Sequence, residues 1–239
     1  KKANWKELAK DCVSFANNAG GKIMIGIEDD QDKPSSSQKI HVDLLDQIQE
    51  ALKLHPEVTK TKRLNIHFAR MGEPTFNGNV LDVAACLRRN IYDLYENNSI
   101  VHPVISTMMP KNNNNLVKFL DIWCNDIKNK LYEGNAGLQF SINSTDDEQR
   151  EDMFNGNSLT LKEISEIGKQ LPQPKGRKYA LNFALADEYI IEADKLKELF
   201  DPEKFMCKIT PLHRTNSCIE NGIETTGGYE SFTPYQTVE

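Results

Sequence analysis

The chain has 239 residues, 38% of them hydrophobic and 27% charged, with a formal net charge of −6. That is enough apolar material for the core of one large or two modest domains, while the negative balance gives no overall attraction to nucleic acid and leaves only a local basic patch to supply one. The longest apolar stretches, such as Ile23 to Ile27, fall far short of the ~20 residues a membrane span needs, and no signal-peptide pattern opens the chain, so the expectation is a globular cytoplasmic protein without a membrane partner.

In chain order, residues 8–16 have helical spacing, Asn18 to Gly21 supply a helix stop and tight turn, and Ile23, Ile25 and Ile27 make a strand. A polar stretch, "DKPSSSQK" (32–39), follows. From residue 40 onward helix-like and strand-like runs alternate. Helices are expected near 42–54, 80–95, 116–131, 159–171 and 193–200, and strands near 64–69, 101–107, 138–142, 179–184 and 205–209. Strands separated by helical crossovers imply right-handed connections and a mainly parallel sheet or barrel, so the fold class is α/β. "PKNNNN" (110–115) reads as a surface loop. The five cysteines, Cys12, Cys86, Cys124, Cys207 and Cys218, are odd in number and widely spread, which argues against a disulfide framework and against a complete metal site.

In parallel α/β folds, ligand groups come from the carboxyl ends of strands. Here those ends carry Gly72, Glu73 and Pro74, then Ser106 and Thr107, then "SINST" (141–145), and finally "TPLHRTN" (210–216). Each alone is commonplace: Gly-Glu-Pro is a usual turn, and Ser-Thr a usual helix cap. Four in succession point to one polar mouth.

"MGEPTFN", "VISTMMP", "LQFSINSTDDEQREDMF", "YALNFALADE" and "KITPLHRTN" resemble, in order and at similar intervals, the barrel motifs of the radical S-adenosylmethionine enzymes that methylate an adenine of ribosomal and transfer RNA. The resemblance covers about residues 40–239 and implies an incomplete parallel (β/α) barrel. It implies that Gly72 and Glu73 contact the amino group of S-adenosylmethionine, a charge-assisted pairing. It also implies that Ser106, then Ser141, Ile142 and Asn143, and finally His213 lie along the cofactor. Asn143 stands where the family has histidine, and His213 where it has asparagine. Asp146, Asp147 and Glu148 read as an ordinary solvated helix start, since acidic groups favour a helix amino terminus.

Members of that superfamily hold a 4Fe-4S cluster through three closely spaced cysteines after the first barrel strand. No such triad lies before Ile40. The bridge from "GIEDDQDK" to the next helix is too short for a strand and cluster loop, so the ligating cysteines are expected outside the 239 residues, with the sequence closed up over a gap between 31 and 40. Such a cluster needs an electron donor as partner. The family's methyl-accepting cysteine is also not represented: Cys207 lies in the last strand run, where a buried thiol is usual.

Upstream, "LAKDCVSFANNAGGKIMIGIEDD" (8–30) resembles the core of the Schlafen AlbA-like nucleic-acid-binding domain. The domain expectation is therefore an α+β AlbA-like segment at 1–33 and a radical S-adenosylmethionine barrel at 40–239. Its expected function is reductive cleavage of S-adenosylmethionine to methylate a base, with nucleic acid, foremost RNA, as partner. The alternative is a nucleic-acid-binding module that retains a catalytically inactive barrel.

Overall fold

The computed structural model describes residues 44–55, 62–69, 72–92, 100–211, 219–220 and 222–224. The expected helix-turn-strand unit at 8–30, the bridge at 31–40 and His213 lie outside these residues.

All five strands expected from residue 40 onward form: β1 (Arg63–Phe68), β2 (Ile100–Thr107), β3 (Gly137–Ser141), β4 (Tyr179–Leu185) and β5 (Phe205–Pro211). They make one parallel sheet in the order β1-β2-β3-β4-β5, each strand beside its neighbours in the chain. The crossovers carry α1 (Leu44–Leu54, before β1), α2 (Asn79–Asn90), α3 (Leu116–Ile122), α4 (Asp147–Met153), α5 (Leu161–Gln170) and α6 (Ala193–Leu199). Among the described residues, no helix is long and apolar enough to cross a membrane.

Strand periodicity and register sort the sheet into two faces. Leu64 aligns with Val101, Phe68 with Ile105 and Leu138, and Phe140 with Leu181; all are buried. This is the helix-covered face, where each buried aliphatic or aromatic side chain contributes about 1.5–3 kcal/mol. Phe68 meets Trp123 edge-on at 6.5 Å between centroids, and the Trp123 indole donates to the Gly137 carbonyl at 3.1 Å. Phe205 is the centre of a second cluster, 5.2 Å from Phe200, 5.6 Å from Tyr179 and 6.0 Å from Phe140. α5 begins with a full capping box between Thr160 and Glu163, and its Gly168 faces Phe205 so closely that a Cβ there would lie 2.8 Å from the Phe205 ring.

α3 continues as a π-helix over Trp123–Leu131, closing with the Tyr132 amide on the Ile127 carbonyl at 2.9 Å. The wider winding buries Trp123, Cys124, Ile127 and Lys128 together. Buried Lys128 donates to the carbonyls of Gly134, Ala136 and Lys175 at 3.3, 2.9 and 3.0 Å, tying the loop ahead of β3 to the loop ahead of β4.

The structure departs from the sequence reading in three places. α2 ends at Asn90 rather than near 95, where Ile91 leaves helical geometry at φ −109°. "DEQRED" is a solvated start only in part: Asp146 caps α4 through the Gln149 amide, but Arg150 is 2% exposed. Cys207 is exposed rather than buried, because β5 stands at the margin of the described sheet and, among the described residues, pairs with β4 alone.

Candidate functional site

The carboxyl ends of the strands are fastened to one another, loop by loop. After β1, Gly72 turns the chain at φ 110°, a conformation that favours glycine, with open space where a side chain would stand. Glu73 follows as the cap of a single 3₁₀ turn, Pro74–Phe76. One carboxylate oxygen accepts from the Thr75 amide at 3.1 Å and the Thr75 hydroxyl at 2.7 Å; the other accepts from the Met108 amide, beyond β2, at 2.9 Å. Asn113, from the asparagine run, adds a second tie by donating to the Thr75 carbonyl at 2.9 Å and its hydroxyl at 3.0 Å.

Met108 also reaches the β3 loop. Its carbonyl accepts from the Ser158 hydroxyl at 2.6 Å, Ser158 accepts from the Arg150 guanidinium at 2.8 Å, and Arg150 donates in turn to the Ile142 carbonyl. The same guanidinium stacks over Phe154 at 5.3 Å, and burial pushes its pKa down to about 10. The β3 loop is joined to the β4 loop by Ser144 and Thr145, whose hydroxyls donate to the Ile190 carbonyl at 3.0 and 3.1 Å. The β4 loop is joined to the segment after β5 by the Asp187 amide on the Glu224 carbonyl at 3.0 Å. The loops after β1, β2, β3 and β4 and the segment after β5 thus share a continuous hydrogen-bonded rim, the preorganisation a ligand site requires.

Within that rim the site residues named from the sequence fall into two groups. Gly72 and Glu73 line a cavity of about 160 Å³ over the outer edge of β1, with Ile66, His67 and Phe68. Ser106 and Ser141 are half-buried on the face away from the core, where Ser106 aligns with Gln139 and Ser141 with Asn182. Ile142 is fully buried and contributes its carbonyl. Asn143 adopts a left-handed φ of 61°, which asparagine tolerates, and its side-chain oxygen accepts from the Ala184 amide at 3.1 Å, extending the β3–β4 ladder by one link. That oxygen is therefore spent on the backbone, and its amide group is the part left for a ligand.

Sequence reasoning missed Arg150, Asn113 and Ser158. Arg150 stands inside an acidic run and Asn113 inside a low-complexity one, patterns that ordinarily mark solvated surface. It missed as well the histidine at the start of β2: His102 is 2% exposed, and its Nδ1 lies 2.6 Å from the Arg63 guanidinium. Burial, and then the Arg63 charge, lower the His102 pKa to about 4, so the ring is neutral at pH 7.

Among the described residues, no group of three His, Cys, Asp or Glu side chains is placed to hold a metal. Burial pushes the Cys124 thiol up to about 12, so it is no thiolate at neutral pH. Residues 1–85 match the family model described as Schlafen, AlbA_2. The matched span reaches past the segment at 1–33 to include β1, the Gly72–Glu73 turn and the first half of α2. No curated protein and no solved structure matches the chain.

Proposed function

We propose that the sheet is the cofactor-binding wall of a radical S-adenosylmethionine enzyme that modifies, and foremost methylates, a base of nucleic acid. The observation that carries this reading is the hydrogen-bonded rim. Strand-end segments that the family would use for the cofactor, Gly72–Glu73, Ser106 and 141–143, sit at the same end of three adjacent parallel strands, the end where α/β folds bind ligands. The sequential strand order is also that of a (β/α) barrel wall, in which neighbouring units always lie on the same side. Glu73 would receive the ammonium of the cofactor on the side of its carboxylate away from Thr75, beside the open backbone of Gly72. The match of residues 1–85 to Schlafen, AlbA_2 is consistent with association with nucleic acid.

The 4Fe-4S cluster of that superfamily does not fit the cysteines of this sequence. Among the described residues, Cys86 lies on α2, Cys124 in the π-helix and Cys207 on β5, three separate elements. That mismatch favours a second reading, a nucleic-acid-binding module whose barrel has lost the chemistry.

Calorimetric titration of S-adenosylmethionine, together with iron analysis of the full-length natural protein isolated without oxygen, separates the two. The enzyme reading expects saturable cofactor binding, about tenfold or more weaker in Glu73→Gln and unchanged in Lys169→Gln on a helix surface, together with about four irons. Affinity in a folded Glu73→Gln variant equal to that of the unaltered protein would remove the site. Iron-free protein that still binds nucleic acid would leave the second reading.

A further inference from the structure

Among the described residues, the amino-terminal half of the sheet's other face gathers positive charge without a carboxylate. By register, Asn65 aligns with His102, Ala180 with Met206, and Asn182 with Lys208, so these side chains share the face that the helices leave open. That face holds a cavity of about 140 Å³ whose polar lining includes Asn65, His67, His102, Gln139, Arg177 and Lys208 and, among the described residues, no acidic side chain. Gly137 forms part of the floor. A Cβ there would come within 3.0 Å of both Val104 methyl groups and 3.4 Å of the His102 ring, so glycine keeps the cavity from being filled.

Arg177 is exposed, whereas Lys208 is held in place. Lys208 is half-buried and donates to the Gln139 side-chain oxygen at 3.3 Å, across β4. Lys128, buried nearby in the π-helix, has its ammonium locked on three carbonyls and no ion-pair partner among the described residues. Neither Arg177 nor Lys208 has an ion-pair partner among the described residues. The ammonium pKa of Lys208 is lowered by burial and then by Arg177, and that of Lys128, also lowered by burial, falls to about 8 with Arg177 and Arg63 contributing. Like charges brought this close without a counter-charge destabilise the empty pocket and favour any anion that enters.

We propose that this pocket binds a phosphate group, with Arg177 and Lys208 as its charged donors, Gln139 positioning Lys208, and His102, held against Arg63, forming part of the wall. Arg177 supplies the planar fork suited to phosphate oxygens, and Lys208 the point charge. The cavity volume suits one phosphoryl group rather than a whole nucleotide. The group belongs either to a small phosphorylated molecule or to the end of a nucleic-acid strand. Arg177 stands ahead of β4, at the end of the strands away from Glu73, and although His67 lines both cavities the proposal does not depend on the cofactor reading.

The test is titration of the full chain with inorganic phosphate at constant ionic strength, with chloride as control, by calorimetry and by thermal shift. Saturable binding is expected, weakened about tenfold or more in the Arg177→Gln, Lys208→Gln double variant and unchanged in Lys169→Gln, Lys197→Gln, which removes two lysines from helix surfaces. S-adenosylmethionine affinity should be equal in all of them, which keeps this outcome apart from that of the Glu73 site. A 5′-phosphorylated oligonucleotide that binds more tightly than its unphosphorylated twin, in the unaltered protein only, assigns the source to a strand end; equal binding of the two oligonucleotides alongside a phosphate response assigns it to a small molecule. Absence of saturable phosphate binding, or equal phosphate affinity in the double variant, would overturn the proposal. So would a salt-sensitive loss of stability of the double variant in phosphate-free buffer, because it would give the cations to a carboxylate of this chain.

Discussion

Replacing Glu73 by glutamine tests whether this residue is a clamp between strand ends as well as a candidate ligand. The carboxylate accepts three hydrogen bonds, two from Thr75 and one from the Met108 amide. An amide has one accepting oxygen. Kept on Thr75, it turns its own NH₂ toward the Met108 N–H, so that two donors face each other; turned toward Met108, it abandons both Thr75 donors. The cheaper choice forfeits the Met108 link, the only one of the three that joins different loops. An unsatisfied donor costs about 1–3 kcal/mol when fully buried, and Met108 is half-buried, so water recovers part of it and about 1–2 kcal/mol is expected. Urea denaturation followed by circular dichroism measures it as a lower midpoint at unchanged slope. A loss below about 0.5 kcal/mol, the level of an ordinary surface replacement, would refute the clamp. Asn113 would then be carrying the contact between the two loops through Thr75 alone.

The buried histidine gives a pH signature: since the folded pKa of about 4 lies below the unfolded value near 6.5, the contribution is complete above pH 6.5 and is lost as pH falls through about 4. After allowance for solvent screening, unaltered protein should lose about 1–2 kcal/mol over that window that His102→Gln does not, read as urea midpoints at pH 7 and 4.5. Gly168→Ala inverts the usual helical preference for alanine, because the new methyl would stand 2.8 Å from the Phe205 ring, itself fixed among Phe140, Tyr179 and Phe200; a loss of about 1–3 kcal/mol by thermal unfolding is expected instead of a gain. Arg150→Ala leaves the Ile142 and Leu159 carbonyls and Ser158 without their shared donor, and should cost about 3 kcal/mol or more while raising proteolysis at residues 141–145.

The strands were legible because a parallel sheet buries its core face in short apolar runs bounded by turn residues; 64–69, 101–107, 138–142, 179–184 and 205–209 all read that way. The candidate site was legible only where polar residues stand at or shortly past a strand's carboxyl end, as at Glu73, Ser106 and Ser141. What joins them was hidden because it runs through backbone atoms: no side chain announces that Met108 offers its amide to Glu73 and its carbonyl to Ser158. Arg150 was hidden for a different reason. Its neighbours Asp147, Glu148, Glu151 and Asp152 give the segment the composition of a solvated helix, and only the fold shows that its guanidinium turns inward. Cys207 misled in the opposite sense, since strand membership suggests burial only where a further element covers the strand.

The sequential strand order has a consequence for how the molecule opens. Among the described residues each strand exchanges backbone hydrogen bonds only with its neighbours in chain order, so no distant described segment threads between them. Opening from either margin breaks one ladder at a time, and the central strand is released last. Amide hydrogen exchange should therefore be graded rather than uniform, slowest at Leu138 to Phe140 in β3, faster in β2 and β4, and fastest in β1 and β5. On that gradient the Gly72–Glu73 turn belongs to a marginal unit held by its tie to Met108, and the loop best able to admit a ligand is also the first to come loose.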